Sequence, residues 1–277
     1  MYDSYLSGEQ ERVPQVLHYL YKQEWKAIGM IILKGFIDTG YFPIVLSKAF
    51  LYFCLFGEVS EELLISSFLK YLSPDESELV AKAIDDSQNK SIIQSEEFAE
   101  ILEQFSCKTL VKESNVKLVI TEIARQELIQ KSHIMAACWQ DPFSEFPKEP
   151  QFSSLENIVK FYGDMEPTPK KVVALFKDAS PASSAERDSL NYLKRYIRGL
   201  ETVLLKKLMK FLTGSDIMIV DTIDIVFIRS ESNFTRRPIA HTCTPCLELP
   251  STYNSYCELR EEFSNILQLS EWEMDIV

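Results

Sequence analysis

The chain has 277 residues, 46% apolar and 25% charged, with a formal charge of −12 and a pI near 4.9. That length suffices for one large domain or two small ones, each with its own buried core. So acidic a chain is repelled by a phosphate backbone, which argues against a nucleic-acid partner. The elements follow in chain order. Apolar residues at helical spacing predict a helix over Val16–Phe36, broken by Phe36-Ile37-Asp38-Thr39-Gly40-Tyr41-Phe42-Pro43. A second helix is expected from Ile44 to Phe56, where Gly57 ends it, and a third from Glu58 to Leu72. Ser73-Pro74-Asp75-Glu76 is a capping box with proline in the first turn, a start signal for a further helix. Others are expected over Glu96–Phe105, Asn115–Ala136 and Leu155–Tyr162, with Thr168-Pro169 opening a short one that ends near Phe176.

Asp178-Ala179-Ser180-Pro181-Ala182-Ser183-Ser184 is small, polar and proline-containing, the composition of an exposed joint. Ser183 and Glu186 then form a second capping box, which opens a helical region to Leu212 with Gly199 as a break point. Beyond Thr213-Gly214-Ser215-Asp216 the pattern changes. Ile217–Val220 and Ile223–Ile228 are β-rich, and Pro238–Cys243 and Leu247–Leu249 read as two more short strands. Ser255 and Glu258 cap a last helix to about Leu269. The expected class is α+β in two lobes: a large, mainly helical one over residues 1–178, a joint over 179–184, and a small mixed α/β one over 185–277.

The opening Met1-Tyr2-Asp3-Ser4 leads into polar and acidic residues rather than the apolar core of a secretory signal. The most apolar stretch, Ile28–Phe56, is interrupted by Lys34, Asp38, Pro43 and Lys48, so no membrane span is expected. Six sparse, irregularly spaced cysteines then read as reduced thiols of the cytosol or nucleus. Asn89-Lys90-Ser91 and Asn233-Phe234-Thr235 match glycosylation sequons, which a chain in those compartments never exposes to the glycosylating enzyme. There is no phosphate-cradling glycine loop, no H-E-x-x-H and no serine in a nucleophile elbow, so neither nucleotide chemistry nor hydrolysis has residues to carry it. His18 and His133 fall in helical runs without partners, and Trp25 and Trp139 read as core residues.

Cysteine chemistry is what remains. In Arg236-Arg237-Pro238-Ile239-Ala240-His241-Thr242-Cys243 the cysteine closes a short, extended, polar-flanked run. A single cysteine is usually a small buried hydrophobe, and here the flanking residues argue otherwise. If the strand runs on through Cys243, His241 lies on the same face and its imidazole can assist the thiol. Cys243-Thr244-Pro245-Cys246 also has the C-x-x-C spacing of redox and metal motifs. The residues after it look extended, however, whereas a thioredoxin-like thiol sits at a helix N-terminus. No second paired motif completes a zinc site, so neither a metal nor a cofactor is expected.

The run Ala240-His241-Thr242-Cys243 resembles the catalytic end of HECT-type ubiquitin-protein ligases, in which the cysteine carries ubiquitin as a thioester. Lys206-Lys207-Leu208-Met209-Lys210-Phe211-Leu212-Thr213-Gly214-Ser215 is similar to the family's L-x-x-F-x-T-G stretch. Ala27–Met30 and Phe36–Pro43 are similar to a segment of its large lobe. The full R-R-P-I-A-H-T-C run, with Leu249-Pro250-Ser251-Thr252-Tyr253-Asn254-Ser255-Tyr256, resembles a divergent animal branch of HECT-like proteins. The resemblance implies a transferase with Cys243 as catalytic residue and His241 and Thr242 in support. It also implies three partners: ubiquitin, a ubiquitin-conjugating enzyme recruited by the large lobe, and protein substrates. It further implies a hinge that lets the small lobe swing, and Asp178–Ser184 falls where that hinge belongs. The chain departs from the family pattern in three places. Thr244 and Pro245 replace the usual phenylalanine and asparagine. Met274, with Trp272 nearby, stands where many members carry a terminal phenylalanine that assists transfer to lysine. The strand-rich opening and the small donor-binding subdomain have no clear counterpart, the latter around Leu79–Thr109. A second class of function fits the same features: a HECT-like module that binds ubiquitin, a conjugating enzyme or a regulatory partner without turnover.

Overall fold

The computed structural model describes residues 2–87, 89–229 and 237–269 and divides into two compact units, Met1–Tyr162 and Gly163–Val277. Helices dominate and two small sheets complete an α+β chain.

The first unit opens with α1 (Tyr2–Tyr5) and an antiparallel pair, β1 (Leu6–Ser7) and β2 (Val13–Pro14). Then come α2 (Lys22–Thr39), α3 (Lys48–Phe56), α4 (Glu61–Tyr71), α5 (Pro74–Asp85), α6 (Lys90–Ile93), α7 (Glu96–Gln104), α8 (Val116–Arg125), α9 (His133–Phe143) and α10 (Leu155–Met165), whose residues from Gly163 on are counted with the second unit. Serines start four of these helices. The hydroxyls of Ser47, Ser60, Ser73 and Ser95 accept from the backbone N–H groups of Phe50, Leu63, Glu76 and Phe98. The expected box at Ser73 is complete, with Glu76 Oε2 accepting from Ser73 N at 2.9 Å.

Two expectations change here. Helix α2 starts at Lys22 rather than Val16, because the Tyr21 N–H donates to Glu24 Oε2 at 3.0 Å and fixes the first turn there. His18 therefore lies in a turn, not a helix. The single helix expected over Asn115–Ala136 is split by a π-helical segment, Gln126–Gln130. At α-helical pitch the inward position after Ile120, Ile123 and Ala124 falls on Glu127. The wider turn buries Leu128 and Ile129 along with Glu127, whose carboxylate pairs with Lys131 at 2.6 Å.

Aromatic packing holds this unit. Phe42, Phe146 and Phe152 are fully buried and meet Phe36 and Phe161, with ring centroids 4.8–6.1 Å apart. Trp139 packs on Trp25 and Phe50 and donates its indole N–H to the Trp25 carbonyl at 2.7 Å. Helices α2 and α9 approach closely at Gly29, where a Cβ would sit 2.8 Å from Trp139 Cδ1.

The second unit contains α11 (Pro169–Ala174), α12 (Ser184–Arg198), α13 (Thr202–Thr213), β3 (Asp224–Ile228), β4 (Ile239–His241), β5 (Cys246–Pro250) and α14 (Tyr256–Gln268). The Ser183–Glu186 box opens α12, and Gly199 ends it as expected. The sheet order is β3-β5-β4, with β5 parallel to β3 and antiparallel to β4. Leu247 and Leu249 of β5 are fully buried and pack with Leu193, Ile197, Leu208, Met209, Leu259 and Phe263. Each such side chain contributes about 1.5–3 kcal/mol by leaving water. Val172, Leu175 and Phe176, from α11 and the turn after it, belong to the same core. The expected joint, Asp178–Ser184, thus lies inside this unit, between α11 and α12.

Ile217–Val220 forms no strand, contrary to its β-rich composition. Backbone within and just after it is already committed: the Met218 N–H donates to Met165 O and the Ile223 N–H to Leu175 O, both at 2.9 Å. The sequon at Asn233, like Arg236, Trp272 and Met274, lies outside the described residues.

Candidate functional site

The six cysteines are all free thiols. Cys54 is buried in α3, where desolvation pushes its thiol well above the ordinary value. Cys107, Cys138 and Cys246 are half-buried; Cys243 and Cys257 are exposed. Strand β4 ends at His241, so Cys243 does not sit in a strand but in the Thr242–Pro245 turn that joins β4 to β5. Two anchors hold that turn. His241 pairs with Cys246 across the ladder, and the Pro245 carbonyl accepts from the Asp224 N–H at 3.0 Å, tying the turn to β3.

A third support comes from α13. Gly214 caps that helix with φ +76°, a left-handed conformation that glycine adopts without a steric penalty. Its N–H donates to Lys210 O at 2.9 Å, and a Cβ built on it would lie 3.6 Å from Thr242 Cβ. Thr213 locks the same corner: its hydroxyl donates to Met209 O at 2.9 Å and accepts from the Ser215 N–H at 3.2 Å. The Thr213-Gly214-Ser215 stop therefore lies against the residue next to Cys243. The sequence marks these residues as a helix end and as part of a family stretch. Their contact with Thr242 is a tertiary fact that no local signal carries.

The register sets the outer face of the sheet. Asp224, Cys246 and His241 form one row across the three strands; Val226, Glu248 and Ile239 form the next. His241 Nε2 lies 3.0 Å from Glu248 Oε1, a diagonal cross-strand pair. The shared strand face expected for His241 and Cys243 is absent, because alternation stops where the strand stops, and the imidazole is engaged by a carboxylate. Thr242 is half-buried beside Gly214.

Cys246 lies in a different field from Cys243. Burial raises its thiol pKa first, and the carboxylates of Asp224 and Glu248 raise it further by disfavouring a second negative charge. A thiol kept protonated in this way is a poor nucleophile. Among the described residues, no group of His, Cys, Asp or Glu is arranged to hold a metal ion, and no helix is long and apolar enough to cross a membrane. The chemistry on offer is thus that of one exposed thiol on a short turn braced by β3, β5 and the end of α13.

No curated protein matches the chain. The family described as HECT-domain (ubiquitin-transferase) matches residues 2–274, which covers both units and the Cys243 turn. The chain belongs to the HECT-domain (ubiquitin-transferase) family.

Proposed function

We propose that the chain is a HECT-type ubiquitin-protein ligase that accepts ubiquitin as a thioester on Cys243 and passes it to a lysine of a protein substrate. The observation that carries this reading is the placement of Cys243: exposed, on a turn fastened on both sides, closing the Ala240-His241-Thr242-Cys243 run within a family-matched chain. Two acyl transfers follow. The Cys243 thiolate attacks the carbonyl of the thioester between ubiquitin and a conjugating enzyme. The new C–S bond forms as the old one breaks, and the conjugating enzyme leaves as a thiolate that takes up a proton. A neutral lysine amine then attacks the Cys243 thioester; an amide forms, the amine loses a proton and the Cys243 thiol is regenerated. Covalent catalysis of this kind divides one difficult transfer into two easier ones. In this reading the first unit recruits the charged conjugating enzyme and the second holds the ubiquitin thioester; Asp178–Ser184, lying within the second unit between α11 and α12, is not the joint between them.

The test is a non-reducing gel after incubation with a charged ubiquitin-conjugating enzyme. The expected result is a ubiquitin adduct cleaved by thiol. Cys243→Ser should give either no adduct or a thiol-resistant oxyester, while Cys246→Ser and Cys257→Ser should still load. Thiol-sensitive loading of Cys243→Ser at the wild-type level would overturn the assignment of Cys243. Failure of the wild type to load would leave the chain as a binding module.

A further inference from the structure

The sequence Cys243-Thr244-Pro245-Cys246 is absorbed neither by a metal site nor by the transfer steps above, yet the chain reversal puts one thiol in the turn and the other at its foot. We infer that Cys243 and Cys246 form an intrachain disulfide when the chain meets a peroxide, and that this turn is a reversible oxidation site which silences Cys243. Formation of the bond does not require Cys243 to be catalytic; its effect on transfer rests on that reading.

The geometry is set by the hairpin. His241 and Cys246 are register partners, so the chain reverses within the four residues Thr242–Pro245. Cys243 lies two residues past the strand residue that pairs with Cys246, so the two cysteines stand at the same end of the β4–β5 ladder. Disulfides span Cα separations of about 4.4–6.8 Å, a reach that a four-residue reversal with Cys243 inside it and Cys246 at its foot brings within range of a small turn adjustment. Pro245 fixes one φ inside the loop and removes part of the entropy that closure would otherwise cost. The two thiols also differ in the way a sensor pair needs. Cys243 is exposed and meets oxidant first, while Cys246 is half-buried behind it. The Cys246 thiol rests near the backbone N–H of Val226 and is not fully buried, so its side chain can change rotamer on a fast timescale.

The steps balance. The Cys243 thiolate attacks one oxygen of hydrogen peroxide; the O–O bond breaks, leaving a sulfenic acid and hydroxide. The Cys246 thiol, slow to ionise, gives its proton to solvent and its sulfur attacks the Cys243 sulfur; the S–S bond forms and hydroxide leaves, taking up a proton to become water. Two thiols lose two electrons in total, and peroxide is reduced to two waters. A dithiol reductant reverses the change.

The test exposes the full chain to hydrogen peroxide, blocks remaining thiols with iodoacetamide and cleaves after glutamate. That cut leaves Cys243 and Cys246 together in the peptide Ser232–Glu248 and places Cys257 in Leu249–Glu258. The expected result is that Ser232–Glu248 loses two hydrogens and takes up no alkyl group, while Cys257 is alkylated. In parallel, ubiquitin loading should be lost on oxidation and regained in the wild type when dithiothreitol is applied and then removed before loading. Cys246→Ser should load normally before oxidation but recover poorly after it, because an unprotected sulfenic acid goes on to irreversible acids. Two alkyl groups on Ser232–Glu248 after peroxide, or a bond from Cys243 to Cys257 or to another chain, overturns the inference. If the unoxidised chain never loads ubiquitin, the peptide masses still decide the disulfide, and only the catalytic reading fails.

Discussion

Replacing Gly214 with alanine separates backbone strain from packing beside the Cys243 turn. Gly214 sits at φ +76° and ψ −7° as the cap of α13. A residue with a Cβ in that left-handed region costs about 1–2 kcal/mol. The same Cβ would stand 3.6 Å and 3.8 Å from the Thr242 Cβ and Cγ2 atoms, ordinary van der Waals distances, so Thr242 has no reason to move. The loss should therefore appear in stability and not in chemistry. For a domain somewhat larger than 100 residues, each kcal/mol lowers Tm by roughly 4 °C, so Gly214→Ala should lower the transition of the second unit by about 4–8 °C. Gly214→Asn should lose less, since asparagine tolerates the left-handed region better. The assay pairs thermal unfolding with the rate of ubiquitin loading, measured well below the transition. Alanine unfolding at the wild-type temperature would refute the strain argument. Slowed loading in a chain that is still folded would refute the claim that the contact with Thr242 is slack.

Three further outcomes are expected. Gly29→Ala sets a helix-propensity gain of about 1 kcal/mol against overpacking of typically 1–3 kcal/mol, and a Cβ 2.8 Å from Trp139 makes the second term win; a urea midpoint above wild type would contradict this. The Glu186 carboxyl is held below its ordinary value of 4.5, first by the Ala182 N–H at 2.6 Å and then by the Ser183 N–H. Its contribution is therefore complete above 4.5 and lost as pH falls through the lower folded value, so Glu186→Gln should flatten the acid limb of a stability–pH curve below 4.5; parallel wild-type and variant curves there would contradict the cap. Limited proteolysis should cut near the exposed Asp178, Ser180 and Ala182, yet the new fragments should stay together on a native gel, because Val172, Leu175 and Phe176 remain buried against Leu190 and Leu193.

Helix starts were readable in the sequence because a cap is a local bargain between one side chain and the next turn. Ser73 with Glu76, Ser183 with Glu186, Thr168 before Pro169 and Ser255 before Glu258 all open helices at the expected residue. Features that need a distant partner were not readable. Ile217–Val220 has the composition of a strand, but a strand exists only with a free neighbour, and the backbone there bonds Met165 and Leu175 instead. The π segment after Arg125 answers to where Glu127 must stay and where Leu128 must go.

The same limit governs the site. The residues around Cys243 point to the thiol because sequence wording travels with chemistry, but their geometry had to come from pairing. Alternation places residues i and i+2 on one face only while both belong to a strand, and β4 stops at His241. One residue of difference in the strand end moves Cys243 off the sheet and gives His241 to Glu248. That pair spans β4 and β5 on the exposed side of the sheet, opposite Leu247 and Leu249, so it fastens the two strands that carry the turn. Support for Cys243 then comes from the hairpin, the Asp224–Pro245 hydrogen bond and the Gly214 corner rather than from a neighbouring imidazole. The carboxylates of Asp224 and Glu248 lie beside Cys246 instead, at the start of β5, where burial first and then their charge raise its thiol pKa.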